Sequence, residues 1–187
     1  PVFNLPAVWI DKSRRDEAAL RGLTVVDSGT VIATHLTEMI KENLADLLSY
    51  TETQKLLTEV HKDTAKLVGD IVPSRISISG IQRVLQNLLS EGISVRDVPA
   101  ILEGIADATA FTQNITQVTE HVRGRLARQI SASFTQNGAV PVVTLSPEWD
   151  SAFSESIVGQ GDDRHLAMAP SHLHGFVAAV RETYDRL

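Results

Sequence analysis

Cysteine is absent from the 187 residues. That excludes disulfides and thiolate metal ligands, and it fits a reducing compartment. No apolar run approaches the roughly 20 residues that cross a bilayer, so no direct membrane insertion by this chain is expected. Basic residues are in the minority, 17 Lys and Arg against 23 Asp and Glu, for a net charge of −6. A chain of that sign is repelled by phosphate backbones, so no nucleic acid partner is expected. There is no HExxH, no calcium loop with spaced oxygens and no glycine-rich phosphate cradle. Of the six histidines, His172 and His174 sit two apart on an expected helix and point about 200° away from each other. Asp162-Asp163-Arg164-His165 reads as a solvated turn beside Gly159. No cofactor, no metal and no catalytic residue is expected, and the chain does not read as an enzyme.

What is present is a stretch from Gly22 to Leu36, a buried strand expected to run into a long amphipathic helix. Strand signals fall at Ala7–Ile10 and Leu23–Asp27. The charged, alanine-rich Ser13–Arg21 between them reads as a short helix stopped by Gly22. Asp27 or Ser28 is placed to cap a helix over about Gly29–Leu48. Ile32, Leu36, Met39, Ile40, Asn43 and Leu47 share one side of it at helical spacing and predict its core stripe.

From Thr51 the pattern turns wholly helical. Four apolar groups predict four short helices: Leu56–Val60, Ala65–Val72, Ile81–Leu89 and Val98–Ile105. Pro73 and Gly92 supply stops, and Ser94 with Asp97 resembles a capping box. Ile115 to Phe134 predicts one longer fifth helix. Asn137-Gly138 breaks the pattern. A strand over Val140–Leu145, a helix from Ser146-Pro147 to about Ile157, a strand over His165–Met168 and a helix through Leu173–Tyr184 follow.

The expected fold is α+β and mostly α: a helical middle subdomain flanked by an incomplete α/β piece and a small α/β unit. The boundaries are 1–27 for the N-terminal remnant, 28–48 for the long helix of an adjoining subdomain, 49–128 for the helical subdomain and 129–187 for a partial α/β subdomain. The unpaired opening strand and the close after a helix lead us to expect a piece of a longer protein.

One helix pair, Ile78–Ile105, resembles a helix-turn-helix, and a nucleic-acid-binding regulator is an alternative reading. Its second helix, however, offers Arg96 against Asp97, Glu103 and Asp107, where a DNA reader needs basic residues. An ion pair with neighbouring helices explains Arg96 and Glu103 better.

On the long helix, Val31 and Thr34 fall on the far side from the core stripe when each residue advances 100°. With Val26 they predict an apolar cluster at the strand–helix junction. It is covered by another part of the protein, or it is a dimple that receives a partner's side chain. Phe3 is placed to supply an aromatic wall.

Those residues also carry a family resemblance. Leu5-Pro-Ala-Val-Trp-Ile10, Gly22-Leu-Thr-Val-Val-Asp27, Val31-Ile-Ala-Thr-His-Leu36, Val84-Leu-Gln-Asn-Leu-Leu89, Glu91-Gly-Ile-Ser-Val-Arg-Asp97 and Ile101-Leu-Glu103 resemble the FlhA/InvA/LcrD (FHIPEP) family. The likeness extends to about Ile130 and is looser after that. Within the family it is greatest to the flagellar members.

The resemblance implies the C-terminal cytoplasmic domain of an inner-membrane protein of the flagellar type III protein export gate. Such a domain is a docking platform that takes part in export ordering. The implied partners are flagellar export chaperones with bound substrates, other export apparatus proteins and further copies in a nonameric ring. An injectisome export gate of the same family is the alternative. The family's chaperone-binding dimple would be walled here by Phe3, Val26, Val31 and Thr34. An acidic residue that precedes the Pro1 position in the family falls outside the sequence.

Overall fold

In a computed structural model of the chain, residues 6–160 and 164–186 are described, without the side chain of Asp63. Two compact units divide between Arg125 and Leu126.

The first unit opens with a 3-10 turn over Lys12–Arg14 and a short helix α1 (Arg15–Leu20). The left-handed Gly22, φ 76°, turns the chain out of α1, and its N–H donates to Ala19 O at 3.0 Å. Helix α2 (Ser28–Glu42) and the four-residue α3 (Leu44–Leu47) follow, then α4 (Tyr50–Thr58), α5 (Lys62–Ile71), α6 (Ile78–Ser90), α7 (Val98–Ala108) and α8 (Ile115–Arg125).

The core belongs to the later helices. Ile81, Val84, Leu85 and Leu88 of α6 recur every three or four residues and are sealed from solvent. α6 packs on α4, which brings Leu57, and on α8, which brings Val118 and Val122; α7, with Ile101, Leu102 and Ile105 sealed, closes on α8. Gly104 lets α7 close on α8: a Cβ there would lie 3.2 Å from Val122 Cγ2 and 3.3 Å from Val122 Cα. Gly80 is tighter still, since a Cβ would fall 2.6 Å from Ile76 Cγ1. Ser77 caps α6 by accepting from Gly80 N at 3.0 Å. The Val72–Pro73 bond is cis.

The second unit holds α9 (Ala127–Phe134), α10 (Pro147–Ser156), β1 (Ile157–Val158), β2 (His165–Leu166) and α11 (Pro170–Asp185). β1 and β2 pair antiparallel, Ile157 opposite Leu166. Asn137 (φ 50°) and Gly138 (φ 81°) make a two-residue turn closed by Gln136 and Ala139, as left-handed Asn-Gly pairs do. Trp149 and Phe153 of α10 meet Phe176 of α11 edge-to-face, with centroids 5.3 and 4.8 Å apart.

A mostly helical α+β fold is therefore present, with several local corrections. Ala7–Ile10, Leu23–Asp27 and Val140–Leu145 are not strands: the propensity is there, but no ladder partner exists among the described residues. The long N-terminal helix breaks at Asn43 and the fifth helical stretch at Leu126. Asp97, not Ser94, caps α7, accepting from Ala100 N at 3.1 Å. Ile157 lies in a strand, not at a helix end. The stripe expected to be core on α2 is bare: no residue of α2 is buried, and Ile32 is 66% exposed. Apolar periodicity reports that a face wants cover, and the described residues supply none there.

Candidate protein-docking site at the head of helix α2

The site begins with a cap. Asp27 is extended (φ −76°, ψ 159°) and its Oδ1 accepts from Thr30 N at 2.9 Å. Its Oδ2 accepts from the Thr30 hydroxyl at 2.7 Å. Those two bonds, the hydroxyl first, hold the Asp27 carboxyl below its ordinary pKa. The cap fixes where α2 starts, and so fixes which side chains stand at its head.

Val26 precedes the cap and Val31 is the fourth residue after it. These are the positions of a hydrophobic staple, in which an apolar residue before the cap faces one in the first turn. Val26 is 55% exposed, and Val31 is half-buried. Thr34, one turn further along, is half-buried as well. Val26, Val31 and Thr34 thus all lie at the head of α2, and none is sealed in an interior. Phe3 lies outside the described residues. Val26, Val31 and Thr34 present methyl groups beside the Asp27 cap, the chemistry an apolar visitor needs.

A concavity lies elsewhere in the first unit. An open trough of about 720 Å³ runs along α7 and α8, lined by Asp107, Phe111, Gln117, Glu120, His121 and Arg125 among others. Phe111 is 69% exposed, with its ring 5.6 Å from His121. Arg125 is bonded to Glu103 and reaches Asp107 at 3.3 Å. Two of the three carboxylates that weaken a DNA-reading α7 therefore pair with Arg125 of α8, the neighbouring-helix pairing expected for Glu103, while Asp97 caps α7 and Arg96 makes no ion pair among the described residues. Among the described residues no three His, Asp or Glu side chains gather in a metal-binding group. No described helix is long and apolar enough to cross a membrane.

Sequence reading passed over Gln82 and Gln86. Both half-buried amides of α6 donate to backbone carbonyls at the end of α3. Their signal is two amides four residues apart on one flank of an amphipathic helix. Phe111 gave none, being a lone aromatic in a turn.

The chain is similar to flagellar biosynthesis protein FlhA of Caulobacter vibrioides, 51% identical over 187 residues, all of this chain and 27% of that protein. FlhA of Bacillus subtilis is 34% identical over 188 residues, covering all of this chain and 28% of the relative. The chain thus spans about a quarter of the length of these curated relatives.

Among solved structures, the Chlamydia pneumoniae CdsV and CdsO complex aligns with a TM-score of 0.77 at 22% identity, over 96% of this chain and 54% of the other. Nonameric SctV-C of EPEC aligns at 0.71 and 20%, over 91% and 53%. The C-terminal domain of InvA aligns at 0.72 and 22%, over 96% and 54%. At those identities the likeness is one of fold. A profile described as the FHIPEP family matches residues 1–187 from end to end, and the chain belongs to that family.

Proposed function

We propose that this chain is part of the protein-docking platform of a flagellar type III export gate. It binds export chaperones that carry their substrates, and so takes part in export ordering. The observation that carries the reading is the identity of 51% to a flagellar FlhA over the whole chain. The capped junction agrees with it in chemistry: Val26, Val31 and Thr34 offer methyl groups and no charge.

Binding there rests on insertion of an apolar side chain, with charges at the rim acting more on association rate than on strength. Phe3 belongs to the same wall by family resemblance. The platform acts by binding, not by turnover. In the parent protein it faces the bacterial cytoplasm at the inner membrane. The fold shared with nonameric SctV-C leads us to infer that nine copies form a ring.

Titration calorimetry with a flagellar export chaperone of the source organism tests the site. Thr34→Met fills the dimple with a bulkier side chain and Val31→Asp removes methyl contacts; each is expected to cost about 1–2 kcal/mol, tenfold or somewhat more in Kd. Val31→Asp places a negative charge in the first helical turn, where the helix dipole tolerates it, so the fold is expected to survive. Unchanged affinity in both variants overturns the assignment.

A further inference from the structure

The turn after α9 carries a reactive pair. The chain has five asparagines, at positions 4, 43, 87, 114 and 137. Four of them precede leucine or isoleucine, and Asn137 alone precedes glycine. That neighbour decides how open the side-chain amide is to attack by the backbone nitrogen that follows it. A branched aliphatic residue crowds that nitrogen, whereas glycine has no Cβ to do so. Other asparagines are held back in a second way. Asn87 lies within α6, where the next N–H is committed to the helix. The Asn43 amide donates to Met39 O at 2.7 Å, and Asn114 Oδ1 accepts from Thr116 N at 2.9 Å.

Asn137 differs in each respect. Gln136 to Ala139 are all exposed. A Cβ at Gly138 would meet nothing within 4 Å, so no side chain stands over the bond. Asn137 (φ 50°) and Gly138 (φ 81°) are the central pair of a type I′ turn. It is closed by Gln136 N donating to Ala139 O at 2.8 Å and Ala139 N donating to Gln136 O at 3.0 Å. In type I′ the Gly138 nitrogen stands away from the Asn137 side chain. Flipping the single Asn137–Gly138 peptide plane gives type II′ geometry. The flip swings that nitrogen beside Asn137 Cγ and leaves the bond from Ala139 N to Gln136 O in place. It carries Gly138 from positive to negative φ, a change glycine makes at little cost.

We propose that Asn137 is a site of spontaneous covalent conversion, reached through this flip. The Gly138 nitrogen loses its proton to hydroxide and attacks Asn137 Cγ. A new C–N bond closes a succinimide ring, and the Cγ–Nδ2 bond breaks to release ammonia. Water then adds to either ring carbonyl. Opening at Cγ gives aspartate. Opening at the Asn137 backbone carbonyl gives isoaspartate, with the chain running through the former side chain. Water is the co-reactant consumed, and the sum is an amide exchanged for a carboxylate. The two products differ in structure. Asp-Gly suits the same turn and adds a negative charge. Isoaspartate adds a methylene to the chain between Gln136 and Ala139, so the paired hydrogen bonds of a two-residue turn are lost. The chemistry needs no partner protein, so it stands apart from the docking reading.

The test keeps the whole chain in mildly alkaline buffer and follows it by peptide mass and by methyl transfer from an isoaspartate methyltransferase. The mass gain of an amide turned to an acid is expected at Asn137, at least about tenfold faster than at Asn43, Asn87 or Asn114. Gly138→Val crowds the attacking nitrogen and is expected to slow conversion at least about tenfold. Asn137→Gln keeps Gly138 but lengthens the side chain past easy ring closure, and is expected to abolish the isoaspartate signal. Circular dichroism checks that both variants keep their helices. Amide exchange at Ala139 is expected to quicken in the isoaspartyl product and not in Asn137→Asp. Conversion no faster at Asn137 than at the other asparagines overturns the site. A rate more than about a hundredfold below that of a free peptide of residues 135–140 overturns the flip, since conversion would then wait on unfolding of the turn. Unchanged exchange at Ala139 in the isoaspartyl product overturns the loss of the turn.

Discussion

Arg123 of α8 lies 2.6 Å from Glu91, the residue that ends α6, and 2.5 Å from Glu120 on its own helix. One guanidinium therefore ties two helices across 32 residues of sequence. The hydrogen bond to Glu120 leads in raising its pKa, ahead of Glu91. Its Nε is buried with no partner among the described residues, a cost set against the two pairs. The pairs are partly exposed, so screening limits them. Arg123→Met is expected to cost about 0.5–1 kcal/mol, and the loss should shrink in 1 M salt. Denaturant unfolding at two salt concentrations measures both. Because the raised pKa only strengthens a charge already present, this contribution stays constant across neutral pH.

Gly104 and Gly124 are expected to respond to alanine with opposite signs. Both gain helix propensity, about 1 kcal/mol. At Gly104 the new methyl meets the Val122 backbone at 3.3 Å, which cannot yield without moving α8. Overpacking of that kind costs about 1–3 kcal/mol, so Gly104→Ala is expected to be destabilising on balance. At Gly124 nothing lies within 4 Å, so Gly124→Ala is expected to raise Tm by roughly 2–4 °C. Calorimetry on the two variants decides it.

Acid is expected to fray the head of α2 before the core yields. The Asp27 carboxyl has a lowered pKa in the folded chain, with the Thr30 hydroxyl bond as first cause. Its contribution is complete above the unfolded carboxylate value near 4. It is lost as pH falls through the lower folded value. Amide exchange at Thr30 is expected to quicken below about pH 4 while Leu88 and Ile105 stay protected. Asp27→Ala should show the fast exchange at neutral pH.

In the second unit Phe176→Ala removes the ring that Trp149 and Phe153 both meet. Phe176 is half-buried, so the expected cost is about 2 kcal/mol, below that of a fully buried phenylalanine. Tryptophan emission should move to the red as Trp149 gains water, while Trp9, already exposed, contributes a constant background.

The helical unit was legible because its signals are local. Ile81, Val84, Leu85 and Leu88 announce a helix by spacing alone, and Gly92 (φ 72°) stops it where a left-handed residue must. Asp27 was legible as a cap for the same reason. Strands were not, since Val140–Leu145 and Leu23–Asp27 carry β-forming side chains whose pairing depends on a partner the local sequence does not name. By spacing alone Asn43 is one polar member of an apolar stripe. Its helix-ending role lies in an amide that turns back to Met39, an alternative to helix that asparagine often takes. At the candidate site, spacing set Val31 and Thr34 apart from the stripe, but it did not show that the stripe itself would be bare.

The Gly80–Ile76 contact has a consequence for how sequences of this fold drift. A residue larger than glycine at position 80 would overlap Ile76, and a smaller residue at 76 would open a void under α6. Neither site can change alone without penalty. Inheritance at these two codons is expected to be paired: a lineage that loses the glycine should first, or at once, have traded the isoleucine for something slimmer.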